Sequence, residues 1–153
     1  MSIDIKEQYD KIYRYCYYKV GDPSLAEDLA QETFLKYFAQ SSYIERGKLL
    51  AYLYTIARNL CMDAFRKKQP GGFPDELPDY DSMERLELKI AVRQALKTLP
   101  EKERELLLLR YANELSVGEI SVIMGMSRFT VYRRISSALA ALKALLREGD
   151  SNE

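Results

Sequence analysis

The sequence predicts an all-α protein made of two small helical domains, a three-helix N-terminal bundle and a four-helix C-terminal domain with a helix-turn-helix, joined by a flexible acidic linker. Two observations predict the helices. Apolar residues recur at spacings of three and four, and alternating β-branched runs are scarce. A third observation divides them. The segment Gln69–Ser82 (QPGGFPDELPDYDS) gathers three of the five prolines, two adjacent glycines and four acids, and it breaks the helical pattern on both sides. The expected bounds are 1–68 for the first domain, 69–82 for the linker and 83–149 for the second domain.

The first helix is expected from Ile3 to Val20, with Ile5, Tyr9, Ile12, Tyr13, Cys16 and Val20 on one stripe. The second opens at Asp22-Pro23, a capping acid followed by proline at the first helical position, and continues to about Gln40. Leu25, Ala26, Leu29, Ala30, Thr33 and Tyr37 share its inner side, while Ser24, Glu27, Asp28, Gln31 and Glu32 surround Leu35 on the other. That outer side reads either as a solvated amphipathic face or as a protein-binding face with a central apolar anchor.

The third helix, Lys48 to Lys68, buries Leu49, Leu50, Leu53, Ile56, Ala57, Leu60 and Ala64. Opposite them lie Tyr52, Thr55, Arg58, Asn59, Met62, Asp63 and Arg66, with Lys67 and Lys68 beyond. A stripe offering a stacking ring, an amide and arginines suits single-stranded DNA, although tyrosine and lysine are also ordinary on a helix exterior.

Beyond the linker, helices are expected over Ser82–Leu96, Pro100–Ala112, Val117–Met124 and Arg128–Arg147. Ser116 and Glu119 have the three-residue spacing of a capping box, and Ile120, Ile123 and Met124 supply the apolar face that follows. Gly125 provides the left-handed residue of a tight turn, and Ser127 caps the last helix. There Val131, Ile135, Ala138 and Leu142 form the inner stripe, so Phe129, Tyr132, Arg133 and Ser136 face outward, flanked by Arg128 and Arg134. A short helix, a glycine turn and a helix showing arginines and rings make a DNA-binding helix-turn-helix pattern. The same order also describes a plain helical hairpin with a solvated arginine face.

Composition narrows the function classes. The 153 residues are 47% hydrophobic and 30% charged, which suits a packed core with a solvated surface. Apolar runs stop short of a membrane span and the N-terminus lacks a signal-peptide pattern, so a cytoplasmic protein without direct membrane insertion is expected. The chain has no histidine, which removes the commonest general base and the commonest transition-metal ligand together. With no Gly-rich phosphate loop, nucleophile elbow or paired-carboxylate motif either, no enzyme, no catalytic residue, no cofactor, no metal and no small-molecule substrate are expected. Cys16 and Cys61 read as small buried hydrophobes rather than as a disulfide or a zinc site.

Net charge is zero overall but unevenly distributed. Residues 1–68 hold 11 basic and 9 acidic side chains, residues 69–83 hold four acids and no base, and residues 84–153 hold 12 basic and 10 acidic. Two faintly basic blocks lack the strong patch that supports tight non-specific DNA binding alone, which points to a protein that reaches DNA with a partner.

Three strings, in this order, resemble the extracytoplasmic-function (ECF) sigma factors of the sigma-70 family over nearly the whole chain. AEDLAQETFLKYF (Ala26–Phe38) is similar to the family's polymerase-binding helix, and AYLYTIARNLCMDAFRKK (Ala51–Lys68) to its promoter-melting, −10-reading helix. ALKTLPEKERELLLLRYANELSVGEISVIMGMSRFTVYRRI (Ala95–Ile135) is similar to its −35-reading domain. The resemblance implies that Glu27, Asp28, Gln31, Glu32 and Leu35 dock on the clamp helices of the largest subunit of core RNA polymerase, and that the chain also meets the polymerase flap. It implies that Tyr52, Arg58, Asn59, Met62, Arg66 and Lys67 engage the −10 element of promoter DNA. The loop Ser41–Gly47 would supply the pocket for an extruded base, without ATP. Ser127, Arg128, Phe129, Thr130, Tyr132, Arg133 and Arg134 would read the −35 element. The linker's acids would mimic nucleic acid near the RNA exit path. An anti-sigma factor is the implied antagonist, and since no further domain follows Glu153, regulation is expected from another protein or from expression level.

The chain departs from the family pattern at three places. Ser136, Ser137 and Ala138 follow Arg134 where further basic residues are usual, Phe129 and Tyr132 replace smaller or basic residues, and the loop between the second and third helices is short. A freestanding transcription regulator that binds DNA through the helix-turn-helix and dimerises through residues 1–68, and an interaction protein that sequesters partners, are the competing readings.

Overall fold

The computed structural model describes residues 4–39, 49–67 and 86–151, with only the backbone described at residues 67, 86–90 and 149–151. The acidic linker and the loop Ser41–Gly47 lie outside the described residues. The described residues form seven α-helices and no strand: α1 (Ile5–Val20), α2 (Pro23–Ala39), α3 (Leu49–Lys67), α4 (Leu86–Thr98), α5 (Glu101–Leu107), α6 (Val117–Met124) and α7 (Arg128–Ser151). They divide into two compact units, with α1–α3 in the first and the greater part of α4–α7 in the second.

Local chemistry sets the helix ends of the first unit. Asp4 accepts the Glu7 N–H on Oδ1 at 3.2 Å and α1 begins at Ile5, the expected start at Ile3 lying outside the described residues. It ends at Gly21, whose φ of 70° turns the chain while its N–H closes on the Tyr17 carbonyl at 2.8 Å. Asp22 Oδ1 then takes the N–H groups of Ser24 (3.0 Å) and Leu25 (3.3 Å), and Pro23 opens α2.

Aromatic contacts join each pair of helices in this bundle. Tyr9 of α1 meets Phe34 of α2 at 5.7 Å between ring centroids, Tyr15 of α1 meets Tyr54 of α3 edge-on at 5.8 Å, and Tyr37 of α2 meets Tyr52 of α3 at 6.1 Å. Around them Ile12, Cys16, Ala26, Ala30, Leu53, Tyr54, Ala57 and Cys61 are fully buried. The inner stripe of α1 is rotated from the expected one. Ile5 is 41% exposed and Tyr9, Tyr13 and Val20 are half-buried, while Gln8, Tyr15 and Tyr18 are buried beside Ile12 and Cys16. The Tyr15–Tyr54 contact turns this face toward α3.

The sulfurs of Cys16 and Cys61 are free thiols, hydrogen-bonded across the α1–α3 interface. That bond, then burial, then the neighbouring thiol's charge push the Cys16 pKa far above its ordinary 9.0. Burial also raises Tyr37 above 10.0. The folded chain therefore keeps protons that the unfolded chain releases. Stability from Cys16 is fully present below pH 9.0 and falls as pH rises above it, with Tyr37 adding to the fall above pH 10.0. Urea midpoints are expected to be flat from about pH 7 to 8.5 and to drop steeply by about pH 10.5, and Cys16→Ala is expected to make the drop shallower. Equal alkaline slopes in the two proteins would show that Cys16 ionises no harder folded than unfolded.

In the second unit α7 packs on α4 and α5, over a core of Ala95, Leu96, Leu99, Leu106, Leu107, Leu109, Leu115, Ile120, Val131, Ile135 and Ala138. Arg104 ties α5 to the end of α4, donating to the carbonyls of Lys97 (3.2 Å) and Leu99 (3.0 Å) and pairing with Glu101 (2.6 Å). After Leu107 the helix widens into a π-helical turn over Leu108–Ala112, a feature the periodicity does not announce. Glu114 follows with φ 59°, the one non-glycine residue at positive φ among those described, and Arg110 Nη1 donates to the Leu115 carbonyl at 3.1 Å to close the bend.

Candidate nucleic-acid interface

The best-defined surface is built by α6 and α7. Ser116 Oγ accepts the Glu119 N–H at 3.0 Å and the Glu119 carboxylate accepts the Ser116 N–H at 2.8 Å, so the capping box is made in both directions and α6 starts at Val117. Gly125, at φ 67°, turns the chain, and the Met126 N–H closes on the Ser121 carbonyl at 3.1 Å. Ser127 Oγ caps α7 by accepting the Thr130 N–H at 3.1 Å, and its own O–H donates to Thr130 Oγ1 at 2.9 Å. Both caps fall where the sequence put them, and α7 runs on past Arg147 to Ser151.

The inner residues Val131, Ile135 and Ala138 are buried and Leu142 is half-buried. That fixes the rotation of α7. Phe129 is 73% and Tyr132 64% exposed, with Arg133 and Ser136 exposed on the same face and Arg128 exposed at its start. Arg134 and Thr130 are half-buried at the edges. Two large rings left in water beside two arginines form a surface shaped for a partner rather than for solvent.

On α2, Ser24, Glu27, Asp28, Gln31 and Glu32 are all exposed, and Leu35 stands among them 71% exposed. The structure adds Phe38, which is 53% exposed one turn beyond Leu35 and is braced by the rings of Phe34 (6.2 Å) and Tyr37 (5.5 Å). The i, i+3 spacing from Leu35 was the signal available for it. Phe34, absent from the expected inner stripe, is buried.

On α3, Asn59, Met62, Asp63 and Arg66 are exposed along one face. Arg66 pairs with Asp63. Arg58 is half-buried and already engaged within the chain. Tyr52 is half-buried with its ring edge-on to Tyr37, and Thr55 Oγ1 donates back to the Ala51 carbonyl at 2.7 Å. Phe65, which the expected polar stripe omitted, is 41% exposed near the end of this helix. The Lys67 and Lys68 side chains lie outside the description.

Among the described residues no group of three or more His, Cys, Asp or Glu could hold a metal ion, and no helix is long and apolar enough to cross a membrane.

Comparison with known proteins follows the same division. Sigma-70 region 2 matches residues 5–70, and Sigma-70, region 4 matches residues 89–142. The chain is 35% identical to the ECF RNA polymerase sigma factor SigW of Bacillus subtilis (strain 168), with 95% of this chain and 88% of that protein aligned. It is 31% identical to SigM of the same organism, another ECF RNA polymerase sigma factor, over the whole of both. Among solved structures, the sigma factor RpoE of Bartonella quintana, crystallised with the anti-sigma factor NepR, superposes with a TM-score of 0.72 at 24% identity, covering 94% of each chain. CnrH, solved with the cytosolic domain of CnrY, gives 0.68 at 23% identity, covering 94% of this chain and 85% of that one. These two likenesses concern the fold.

Proposed function

Because this chain belongs to the ECF sigma factors of the sigma-70 family, a non-enzymatic RNA polymerase subunit that directs promoter-specific initiation, we propose a specific division of that work among its surfaces. Residues 1–68 bind core polymerase and open the −10 region, residues 69–82 thread between the two units, and residues 83–149 read the −35 element. Glu27, Asp28, Gln31, Glu32 and Leu35 dock on the clamp helices of the largest polymerase subunit. Tyr52, Arg58, Asn59, Met62, Arg66 and Lys67 engage −10 bases and phosphates. Ser127, Arg128, Phe129, Thr130, Tyr132, Arg133 and Arg134 engage the −35 duplex while the same unit meets the polymerase flap. The protein works in the cytoplasm, where its polymerase is. An anti-sigma factor is its antagonist, in keeping with the RpoE–NepR complex of matching fold.

The outer face of α7 carries this reading. Phe129 and Tyr132, at 73% and 64% exposure, gain nothing from water but suit apolar contact with thymine methyls and sugars in a major groove. Arg133 beside them supplies donors for a base edge or a phosphate. Run-off transcription with purified bacterial core polymerase, on fragments from upstream of the protein's own gene, tests the assignment, with core binding scored in the same reactions. Transcripts are expected only when polymerase and this protein are both present, and Tyr132→Ala with Arg133→Ala is expected to lower them about 10- to 100-fold without loosening core binding. DNA shifted by the protein alone, with no polymerase bound, would instead favour a freestanding transcription regulator.

A further inference from the structure

Gly118 is the second residue of α6, and its backbone does not need a glycine. The glycines at positive φ among the described residues are Gly21 and Gly125, so Gly118 occupies ordinary helical space, where alanine is the better helix former. The reason for glycine lies in what covers it. A Cβ at this position would stand 3.2 Å from Nη2 of Arg128 and 3.3 Å from both its Cζ and its Nε. Three guanidinium atoms at nearly equal distance mean that the flat face of the group lies over the glycine.

Arg128 is the first residue of α7, yet its head reaches back across the turn onto the first turn of α6. Phe129, Tyr132 and Arg133 instead project from the outer face of α7. Lying with its face over the glycine, the guanidinium holds its N–H donors in one plane as a fixed fork. Arg128 is exposed, and no ion pair or hydrogen bond among the described residues occupies it. In a helix-turn-helix the second helix enters the groove and reads base edges, whereas the first crosses the sugar–phosphate backbone. A planar cation laid on the first helix is therefore placed for a phosphodiester, whose oxygens match its fork in a bidentate pair.

We propose that Gly118 and Arg128 form a seat for one DNA phosphate beside the −35 element, with Arg128 as the binding group and Gly118 as the positioning residue that lets its guanidinium lie on α6. The proposal rests on the promoter-binding reading and deepens it. Arg128 then sets the register of the duplex and carries no base preference of its own.

Holoenzyme binding to a promoter duplex that it transcribes, and to that duplex with each −35 base pair changed in turn, tests the seat across a salt series. Arg128→Ala is expected to weaken binding roughly tenfold by the same factor on every duplex, and to make the log–log salt slope shallower by about 0.9. Arg128→Lys keeps the charge and is expected to keep most of the slope. Gly118→Ala adds one methyl under the guanidinium, so it is expected to lower affinity in the wild-type background and to do nothing further in Arg128→Ala. Its melting temperature is expected to be no lower than that of the wild type, which separates the seat from a merely structural glycine. An Arg128→Ala protein with altered preference at a single −35 position would make Arg128 a base reader and overturn the proposal. So would a Gly118→Ala protein that binds like the wild type, or one that weakens binding equally with and without Arg128. A wild-type holoenzyme that binds no promoter at all would remove the promoter reading itself, a result distinct from any of these.

Discussion

Leu35→Asp is expected to abolish holoenzyme assembly while leaving the protein folded. The side chain is 71% exposed, so the fold loses little when it changes, about 0.5 kcal/mol or less. In the proposed docking face the same leucine becomes the dry centre of a ring of polar groups, and such central anchors contribute about 2–4 kcal/mol. An aspartate there also carries an unpaired charge into the contact, which raises the cost further. The combined loss corresponds to an affinity for core polymerase lower by about 100-fold or more. Asp28→Lys is expected to act in the same direction through charge, with a loss that shrinks as salt rises. Titration of labelled core polymerase measures both. A Leu35→Asp protein that assembles with wild-type affinity would move the docking face off α2.

The second large effect concerns stability. Tyr54→Ala removes a ring that is fully buried and meets Tyr15 edge-on at 5.8 Å. Deleting a buried aromatic side chain costs about 3–5 kcal/mol. At roughly 0.05–0.15 kcal/mol per residue, a bundle of about 60 residues has only about 3–9 kcal/mol in total. The α1–α3 unit is therefore expected to be largely unfolded at 37 °C in the variant, and core binding is expected to be lost with it. Urea unfolding followed by circular dichroism checks this. Tyr54→Phe keeps the ring and is expected to cost only about 1 kcal/mol. A Tyr54→Ala midpoint close to the wild type would mean that the α1–α3 interface does not depend on this ring.

The two ends of the sequence were not equally easy to read. Around α6 and α7 each boundary has its own chemistry: Ser116 with Glu119, Gly125 in the turn, then Ser127, and all of these contacts form. The inner and outer faces of α7 followed from one stripe, because valine, isoleucine and alanine contrast sharply with arginine. In α1 that contrast is missing. Tyrosines at 9, 13, 15, 17 and 18 surround the helix, so period alone cannot choose among faces. The choice fell to a contact with Tyr54, about forty residues away in sequence, and Ile5 lost its expected place inside. The π-helical turn at Leu108–Ala112 was invisible for another reason. LLLLR carries no residue that favours a wider turn, and the widening is closed from outside by Arg110 on the Leu115 carbonyl. Leu35 could be picked out as an anomaly in an acidic face, whereas Phe38 blended with the apolar residues that end α2 and stood out only once the rotation of the helix was known.

The ring pairs at the three interfaces of the first bundle also have a spectroscopic consequence. The chain has twelve tyrosines and no tryptophan, and the bundle holds the rings of Tyr9, Tyr15, Tyr37, Tyr52 and Tyr54 in fixed, asymmetric surroundings. The tyrosines described in the second unit, Tyr111 and Tyr132, are 55% and 64% exposed. Among the described tyrosines, near-ultraviolet dichroism thus reports mainly the first bundle, while the peptide band reports both units. The first bundle therefore has an optical signature of its own, and its melting or its meeting with a partner can be followed apart from that of the whole molecule in one unlabelled sample.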